Sequence, residues 1–359
     1  MAGASAMGGS SAAGSTSGAG VGGIAGASSG DAGGPATDPA ALAKCTGTSP
    51  IICNFGGNPG QYDVTLLLGG QSTGSTLSLA ESRRFMFAET ATAPGASRRV
   101  TFTVNVREPE GQPIESGVPA GTPGLNLMLA GATPRLLGVG YQVATKPLVL
   151  WIAGDSTVCD QAPQLDLPSN ERYTGWGQEL PQYLKLGISV TNYADSGESS
   201  SSFLASGKLF GKIKAGMKAG DYLFIQLGHN DKTTPPATYK ANITSMITSA
   251  KNAGAFPVIV TPIARNDGSP LAEQHIDTNG TLNIRQVLLQ VAAEQNVPLL
   301  DLLQKTQAYI DSVGRTAAQT GYVPGQVTHT NEAGALEYSS LLVQGIRELN
   351  LQPLVSYLR

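Results

Sequence analysis

Five short segments after residue 146 carry apolar residues almost without interruption: 147–154 (PLVLWIAG), 188–194 (ISVTNYA), 221–228 (DYLFIQLG), 256–263 (FPVIVTPI) and 297–303 (VPLLDLL). A strand with one wet face alternates, whereas a strand covered on both faces reads as a continuous apolar run. Between the runs lie stretches with helical spacing, at 175–186, 208–218, 236–254 and 281–296, and an amphipathic stretch at 331–350 closes the chain. Five buried strands alternating with helices predict an α/β domain over 147–359, with a doubly wound, five-stranded parallel sheet. In such sheets ligands bind outside the carboxyl ends of the strands. Those ends are therefore where chemistry is to be sought.

The residues ahead of this domain follow other rules. Segments 62–70 (YDVTLLLGG), 75–82 (STLSLAES), 83–90 (RRFMFAET), 98–108 (RRVTFTVNVRE) and 125–131 (LNLMLAG) alternate with period two or form short apolar runs. Gly, Pro and Ser clusters punctuate them at strand–turn spacing. A small β-sandwich of seven or eight strands is expected over 44–146. In 99–106 (RVTFTVNV), Val and Phe are expected to face its core, with Thr and Asn facing out. Residues 1–43 are almost entirely Gly, Ala, Ser and Thr. They carry too little apolar surface to offset ordering entropy and read as a flexible linker.

Composition excludes several function classes. Lys plus Arg total 23 against 26 Asp plus Glu, a net charge of −3, with no basic cluster to follow a phosphate backbone, so nucleic acid is not an expected partner. The chain has no apolar run long enough to span a bilayer. Three cysteines are too few for a disulfide scaffold. Cys45 and Cys53 are close enough to form a small-loop disulfide, which requires an oxidising compartment; a reduced pair is the equal alternative. Cys159 reads as a small buried residue. The opening MAGASAMGGSS has no basic segment followed by an apolar one; a removed leader and a cytoplasmic chain both fit.

Three strand ends and the entry to the final helix carry polar residues suited to catalysis. The first ends in Gly154-Asp155-Ser156-Thr157. A Ser there is either a nucleophile exposed beside converging backbone N–H groups, or an ordinary helix cap. The second ends in Asn192-Tyr193-Ala194-Asp195-Ser196-Gly197-Glu198-Ser199, where Gly197 either admits a substrate close to the backbone or belongs to a common Ser/Gly loop. The third ends in Gly228-His229-Asn230-Asp231. There Asn230 can aim an amide at an oxyanion, Asp231 fixes loop backbone, and His229 is either a substrate contact or structural. Thr328-His329-Thr330-Asn331 precedes the final helix, with His329 a candidate base and Asn331 its neighbouring N-cap. His275, in a polar loop, reads as a surface residue, with a place on the rim of the cleft as the alternative. Trp176 reads as packing beneath the site, with a sugar platform as the alternative.

In this order, the blocks GDST, the Gly of ADSGESS, GHND and THTN resemble the SGNH (GDSL-like) hydrolase superfamily. The longer blocks GDSTVCDQ, GWGQ, NYADSGESSSSF and LFIQLGHND resemble its rhamnogalacturonan acetylesterase branch, over about residues 148–350. The preceding β region resembles the accessory sandwiches of bacterial members. The resemblance implies a flavodoxin-like three-layer fold and carbohydrate deacetylation. It implies Ser156 as nucleophile, His329 as base, and an oxyanion hole of the Ser156 and Gly197 N–H groups with the Asn230 amide. Asp155, Thr157 and His229 are candidate substrate contacts.

The family pattern has an Asp three residues before the His, and here that position is Gln326. Such a carboxylate fixes the tautomer of the His and stabilises its imidazolium; neutralising it in a serine protease costs about 10⁴ in rate. Gln326 through its amide oxygen, a nearby backbone carbonyl, and Glu332 on the final helix are the candidates to support His329. The expected activity is removal of O-acetyl groups from a plant-type polysaccharide, pectic or xylan-like, by a secreted or cell-surface monomer. No metal or cofactor is expected, since no zinc-ligand spacing or phosphate loop is found. The alternatives are a general esterase or lipase on small acyl esters, and a carbohydrate-binding protein whose catalysis Gln326 has weakened.

Overall fold

A computed structural model describes residues 33–81, 83–107, 122–277 and 279–359. Residues 1–32, most of the expected linker, lie outside the described residues. Among the described residues, eight strands precede residue 147: β1 (Cys45–Thr46), β2 (Ile51–Gly56), β3 (Gly60–Gly69), β4 (Gly74–Ala80), β5 (Arg84–Thr92), β6 (Ser97–Val106), β7 (Leu125–Thr133) and β8 (Leu136–Val143). They form two antiparallel sheets, β1-β2-β7-β4-β5 and β6-β3-β8. Val64, Leu66 and Leu68 of β3 and Phe102 and Val104 of β6 pack with Leu125, Leu127 and Leu129 of β7 in one core. Period-two patterning thus places one apolar face of each sheet against the other. Cys45 and Cys53 are opposite each other on β1 and β2 and are disulfide-bonded.

Residues 33–43, assigned by composition to the linker, are instead packed on the sandwich. The Arg99 Nη2 donates to the carbonyls of Gly33 and Pro35, and the Asp38 N–H donates to Val139 O at 2.8 Å. A Cβ on Gly140 would meet Ala36 O at 1.9 Å, so the missing side chain is what lets this segment lie on β8. A second correction concerns β6. Thr101, Thr103 and Asn105 are buried rather than turned to water, because the following domain and, at Thr101, Gly34 cover that face. Gly187 N–H donates to Thr103 Oγ1 at 2.9 Å, and Arg359 Nη2 donates to Thr101 O at 2.9 Å.

The strands β9 (Leu148–Gly154), β10 (Ile188–Asn192), β11 (Tyr222–Gln226), β12 (Phe256–Val260) and β13 (Leu299–Leu300) form a parallel sheet ordered β10-β9-β11-β12-β13. This is the flavodoxin-like order. Val149, Trp151 and Ala153 face one helical layer, built from Ser200–Ala205, Phe210–Gly216, Pro236–Asn252 and Ile284–Gln295. Leu150 and Ile152 face the other, which holds Trp176–Glu179, Leu302–Val313 and Glu332–Glu348. Coverage on both faces is the reason these strands read as unbroken apolar runs.

The last run is divided differently from its sequence reading. Only Leu299–Leu300 is strand, and Asp301 caps a helix from Leu302 by accepting the Gln304 N–H at 3.2 Å. The apolar Leu302 and Leu303 belong to that helix and are fully buried. Among the described residues no helix is long and apolar enough to cross a membrane.

Candidate active site

Three of the four blocks leave a strand at the carboxyl edge of the sheet, and the fourth leads into the last long helix. Ser156 follows β9, Gly197 follows β10, Asn230 follows β11, and His329 precedes the helix Glu332–Glu348. Ser156, Asn230, Gln326 and His329 are half-buried, and Gly197 is exposed. Ser156 Oγ lies 3.0 Å from His329 Nε2, and His329 Nδ1 lies 3.1 Å from Gln326 Oε1. An amide oxygen only accepts, so the Nδ1 carries the proton and the Nε2 is left to accept from Ser156. Burial holds the His329 pKa below the ordinary value of 6.5. Among the described residues no carboxylate hydrogen-bonds to this ring.

The loop around His329 is held by several bonds. Val323 N–H donates to His329 O at 3.1 Å, and Thr330 Oγ donates to Thr174 O at 2.7 Å. Asn331 accepts the Gly334 N–H at 3.1 Å as the N-cap expected of it, while its amide donates to Thr320 O and Tyr322 O. Glu332 does not support His329. It pairs with Arg172 at 2.7 Å, which turns it from the imidazole toward the 165–172 loop. Tyr173, which the sequence reading missed, presents itself edge-on to the His329 ring with centroids 5.4 Å apart. No motif marks it; only its place in GWGQ's approach, 172–176, precedes the site.

Gly197 has φ +84, in the left-handed region, and a Cβ there would meet open space. Conformation rather than room therefore demands glycine. Asn230 donates through Nδ2 to Glu198 O at 3.1 Å, which orients the amide and leaves its second N–H uncommitted. Asp231 accepts from Ser200 N–H at 3.0 Å and from Thr234 Oγ at 2.9 Å, fixing loop backbone as expected. Among the described residues neither the Ser156 nor the Gly197 N–H is used by another group.

Three candidate substrate contacts are corrected by their burial. Asp155 and Thr157 have no exposed surface, and His229 is 3% exposed. Asp155 Oδ1 accepts the Thr157 N–H at 3.0 Å and its hydroxyl at 2.8 Å, closing the turn that presents Ser156. Burial lifts the Asp155 pKa to about 6. Thr157 Oγ1 in turn accepts from Gln226 Nε2 at 2.9 Å, and Gln226 Oε1 accepts from Trp176 Nε1 at 2.7 Å. Trp176 is thus packed beneath the site. His229 stacks edge-on against His275, centroids 4.4 Å apart, and burial drives the pKa of both down, that of His275 to about 4. His275 is 5% exposed, not a surface residue; its Nε2–H donates to Ile263 O at 2.8 Å.

Residues 152–335 match the model of the GDSL-like lipase/acylhydrolase family. The chain is 34% identical to rhamnogalacturonan acetylesterase RhgT of Bacillus subtilis over 235 residues, 59% of this chain and 95% of that protein. It is 33% identical to the probable rhamnogalacturonan acetylesterase YesY of the same organism, over 56% of this chain and 94% of that one. The crystal structure of protein YxiM of Bacillus subtilis superposes with a TM-score of 0.52 at 26% identity, covering 84% of this chain and 81% of that chain. This last coverage is too wide for the parallel-sheet domain alone and takes in sandwich residues. With its serine and histidine in contact at the carboxyl edge of a parallel sheet, the chain belongs to the GDSL-like lipase/acylhydrolase family and is a carboxylic ester hydrolase.

Proposed function

We propose that this protein removes O-acetyl groups from an acetylated plant-type polysaccharide, pectic or xylan-like, through an acetyl-enzyme on Ser156. The observation that carries the reading is the aligned set Ser156 Oγ, His329 and Gln326 Oε1, at 3.0 and 3.1 Å. His329 Nε2 takes the hydroxyl proton as Ser156 Oγ bonds to the acetyl carbonyl carbon. The carbonyl oxygen becomes an oxyanion, for which the Ser156 and Gly197 N–H groups and the free N–H of Asn230 are the proposed donors. The sugar oxygen leaves with the proton from His329. Water, deprotonated by the same imidazole, then cleaves the acetyl-enzyme to acetate and free Ser156.

The names of the relatives support the sugar substrate. The Cys45–Cys53 disulfide supports an extracellular or cell-surface location, where such bonds persist. We infer in addition that residues 147–359 act as the hydrolase domain and that the sandwich serves as its accessory domain.

A second reading is favoured by one observation, the neutral partner of His329. With no carboxylate on Nδ1, the imidazolium formed during reaction lacks its usual counter-charge, which fits a carbohydrate-binding protein of weakened catalysis. Initial rates on 4-nitrophenyl acetate and on an acetylated pectic polysaccharide separate the two. Acetate release by the wild type, absent in Ser156→Ala, is the expected result. An inactive wild type that Gln326→Asp brings to life would give the second reading the lead.

A further inference from the structure

The segment 155–161 contains no helix or strand, so its shape depends on what its polar groups touch. Much of what they touch comes from the sandwich. Arg83 at the β4–β5 turn, Arg84 at the start of β5 and Arg107 just past β6 are all buried against this segment. Arg83 Nη1 donates to Asp160 O at 2.9 Å, and Arg107 Nη2 donates to Asp160 Oδ2 at 3.3 Å. Arg84 Nε lies 3.5 Å from the same Oδ2, while its Nη1 donates to Val190 O at 2.9 Å in β10. The Asp160 carboxylate has no solvent exposure. Its Oδ1 accepts from Asn192 Nδ2 at 2.9 Å, and the same amide donates to Val158 O at 2.9 Å.

A second route reaches the serine itself. Arg83 O accepts from Gln178 Nε2 at 2.9 Å, and Gln178 Oε1 accepts the Gln161 N–H at 3.1 Å. Gln161 Nε2 then donates to Ser156 O at 3.1 Å. A buried carboxylate is tolerated only when well paired, so Asp160 ties the segment to the guanidinium groups wherever they sit.

We propose that Arg84 and Arg107 are positioning residues, by which the sandwich sets Ser156 Oγ against His329 through Asp160. The sandwich is then a working part of the esterase site rather than a module that only delivers it to a glycan. Neither arginine touches the reacting atoms. Their influence is geometric, and a displacement of about 1 Å at a reacting group can cost about 10² in rate.

The proposal rests on Ser156 being the nucleophile, and the test separates the two. The full chain and its Arg84→Met, Arg107→Met and Arg107→Lys variants are titrated with a fluorophosphonate, with Ser156→Ala as blank. Turnover of 4-nitrophenyl acetate is then expressed per titrated serine. Arg107→Met and Arg84→Met are expected to lower kcat per titrated site about tenfold to a hundredfold with KM within twofold. Arg107→Lys is expected to recover most of the loss. Should Arg84→Met fail to fold, Arg107→Met decides. A merely structural role would lower the titratable fraction and the melting temperature but leave kcat per titrated serine at the wild-type value, and that result overturns the proposal. A wild type that is not labelled at Ser156 overturns the nucleophile assignment, and the positioning role with it.

Discussion

Gln326 Oε1 accepts the Nδ1–H of His329 at 3.1 Å, on the far side of the ring from Ser156. The position that resembles an aspartate site in the family is thus filled by a group that selects the tautomer without supplying charge. The large loss on neutralising the carboxylate of a serine protease comes mostly from the wrong tautomer, and that part of the function is kept here.

Gln326→Asp should therefore raise kcat on 4-nitrophenyl acetate by about ten- to a hundredfold, the part due to charge alone. Gln326→Leu, which removes the acceptor, should lower it. The pH profile carries the sign. Burial depresses the His329 pKa, so the neutral, active imidazole persists as pH falls below 6.5. The acid limb of kcat/KM is expected below pH 6.5 in the wild type and to move upward in Gln326→Asp, where a carboxylate favours the imidazolium. An unmoved limb would show that the new carboxylate does not reach the ring.

The proposed oxyanion donors differ in what their loss should do. Asn230→Ala removes a side-chain donor whose orientation is set by Glu198 O, and kcat should fall about 10²- to 10³-fold with little change in KM. Gly197→Ala meets no steric obstacle but forces an L-residue to φ +84. Stability should drop by about 1–2 kcal/mol in urea unfolding, with kcat falling as the 197 N–H shifts.

The buried His229–His275 pair makes stability depend on pH. Both histidines have folded-state pKa values depressed below 6.5, His275 to about 4. The unfolded chain then binds protons first as pH falls, so stability present above pH 6.5 is lost toward pH 4. For His275 the loss is about 3 kcal/mol. His275 has φ +56, which Asn tolerates, so His275→Asn should fold and show a flatter decline of urea midpoint between pH 6.5 and 4. Parallel declines in the two proteins would assign the acid sensitivity elsewhere.

The Cys45–Cys53 link closes a short loop at the edge of the sandwich, far in sequence from the nucleophile. The Cys45→Ser/Cys53→Ser double variant should lose about 2 kcal/mol of stability and retain its kcat per titrated serine. A matched fall in kcat would mean that the loop reaches the site after all.

The parallel sheet was legible because burial on both faces leaves an unbroken apolar signature, as in Leu150, Trp151 and Ile152. The pairing of Ser156 with His329 was legible because each stands beside a strand end or helix start that sequence marks clearly. What escaped reading was tertiary. Thr101, Thr103 and Asn105 look outward-facing on their own strand and are buried because segments distant in sequence lie over them, the parallel-sheet domain and, at Thr101, Gly34. His275 sits in a polar loop, and nothing local says that its ring turns inward against His229. Asp160 lies within GDSTVCDQ, and Arg83 and Arg84 open RRFMFAET, but the Arg83–Asp160 contact spans 77 residues and leaves no local pattern. Glu332 had the right spacing to serve His329, and Arg172, 160 residues away, draws it elsewhere.

Cys159 has no exposed surface and its Sγ lies 3.7 Å from both Ser156 O and Ser196 Oγ. The other two cysteines are bonded to each other, so this is the one free thiol of the chain. Burial holds it protonated and shields it from reagents. The molecule thus carries an internal reporter directly behind its serine: the rate at which a disulfide reagent modifies Cys159 reports on opening of the fold around the nucleophile turn, without any label having to be introduced.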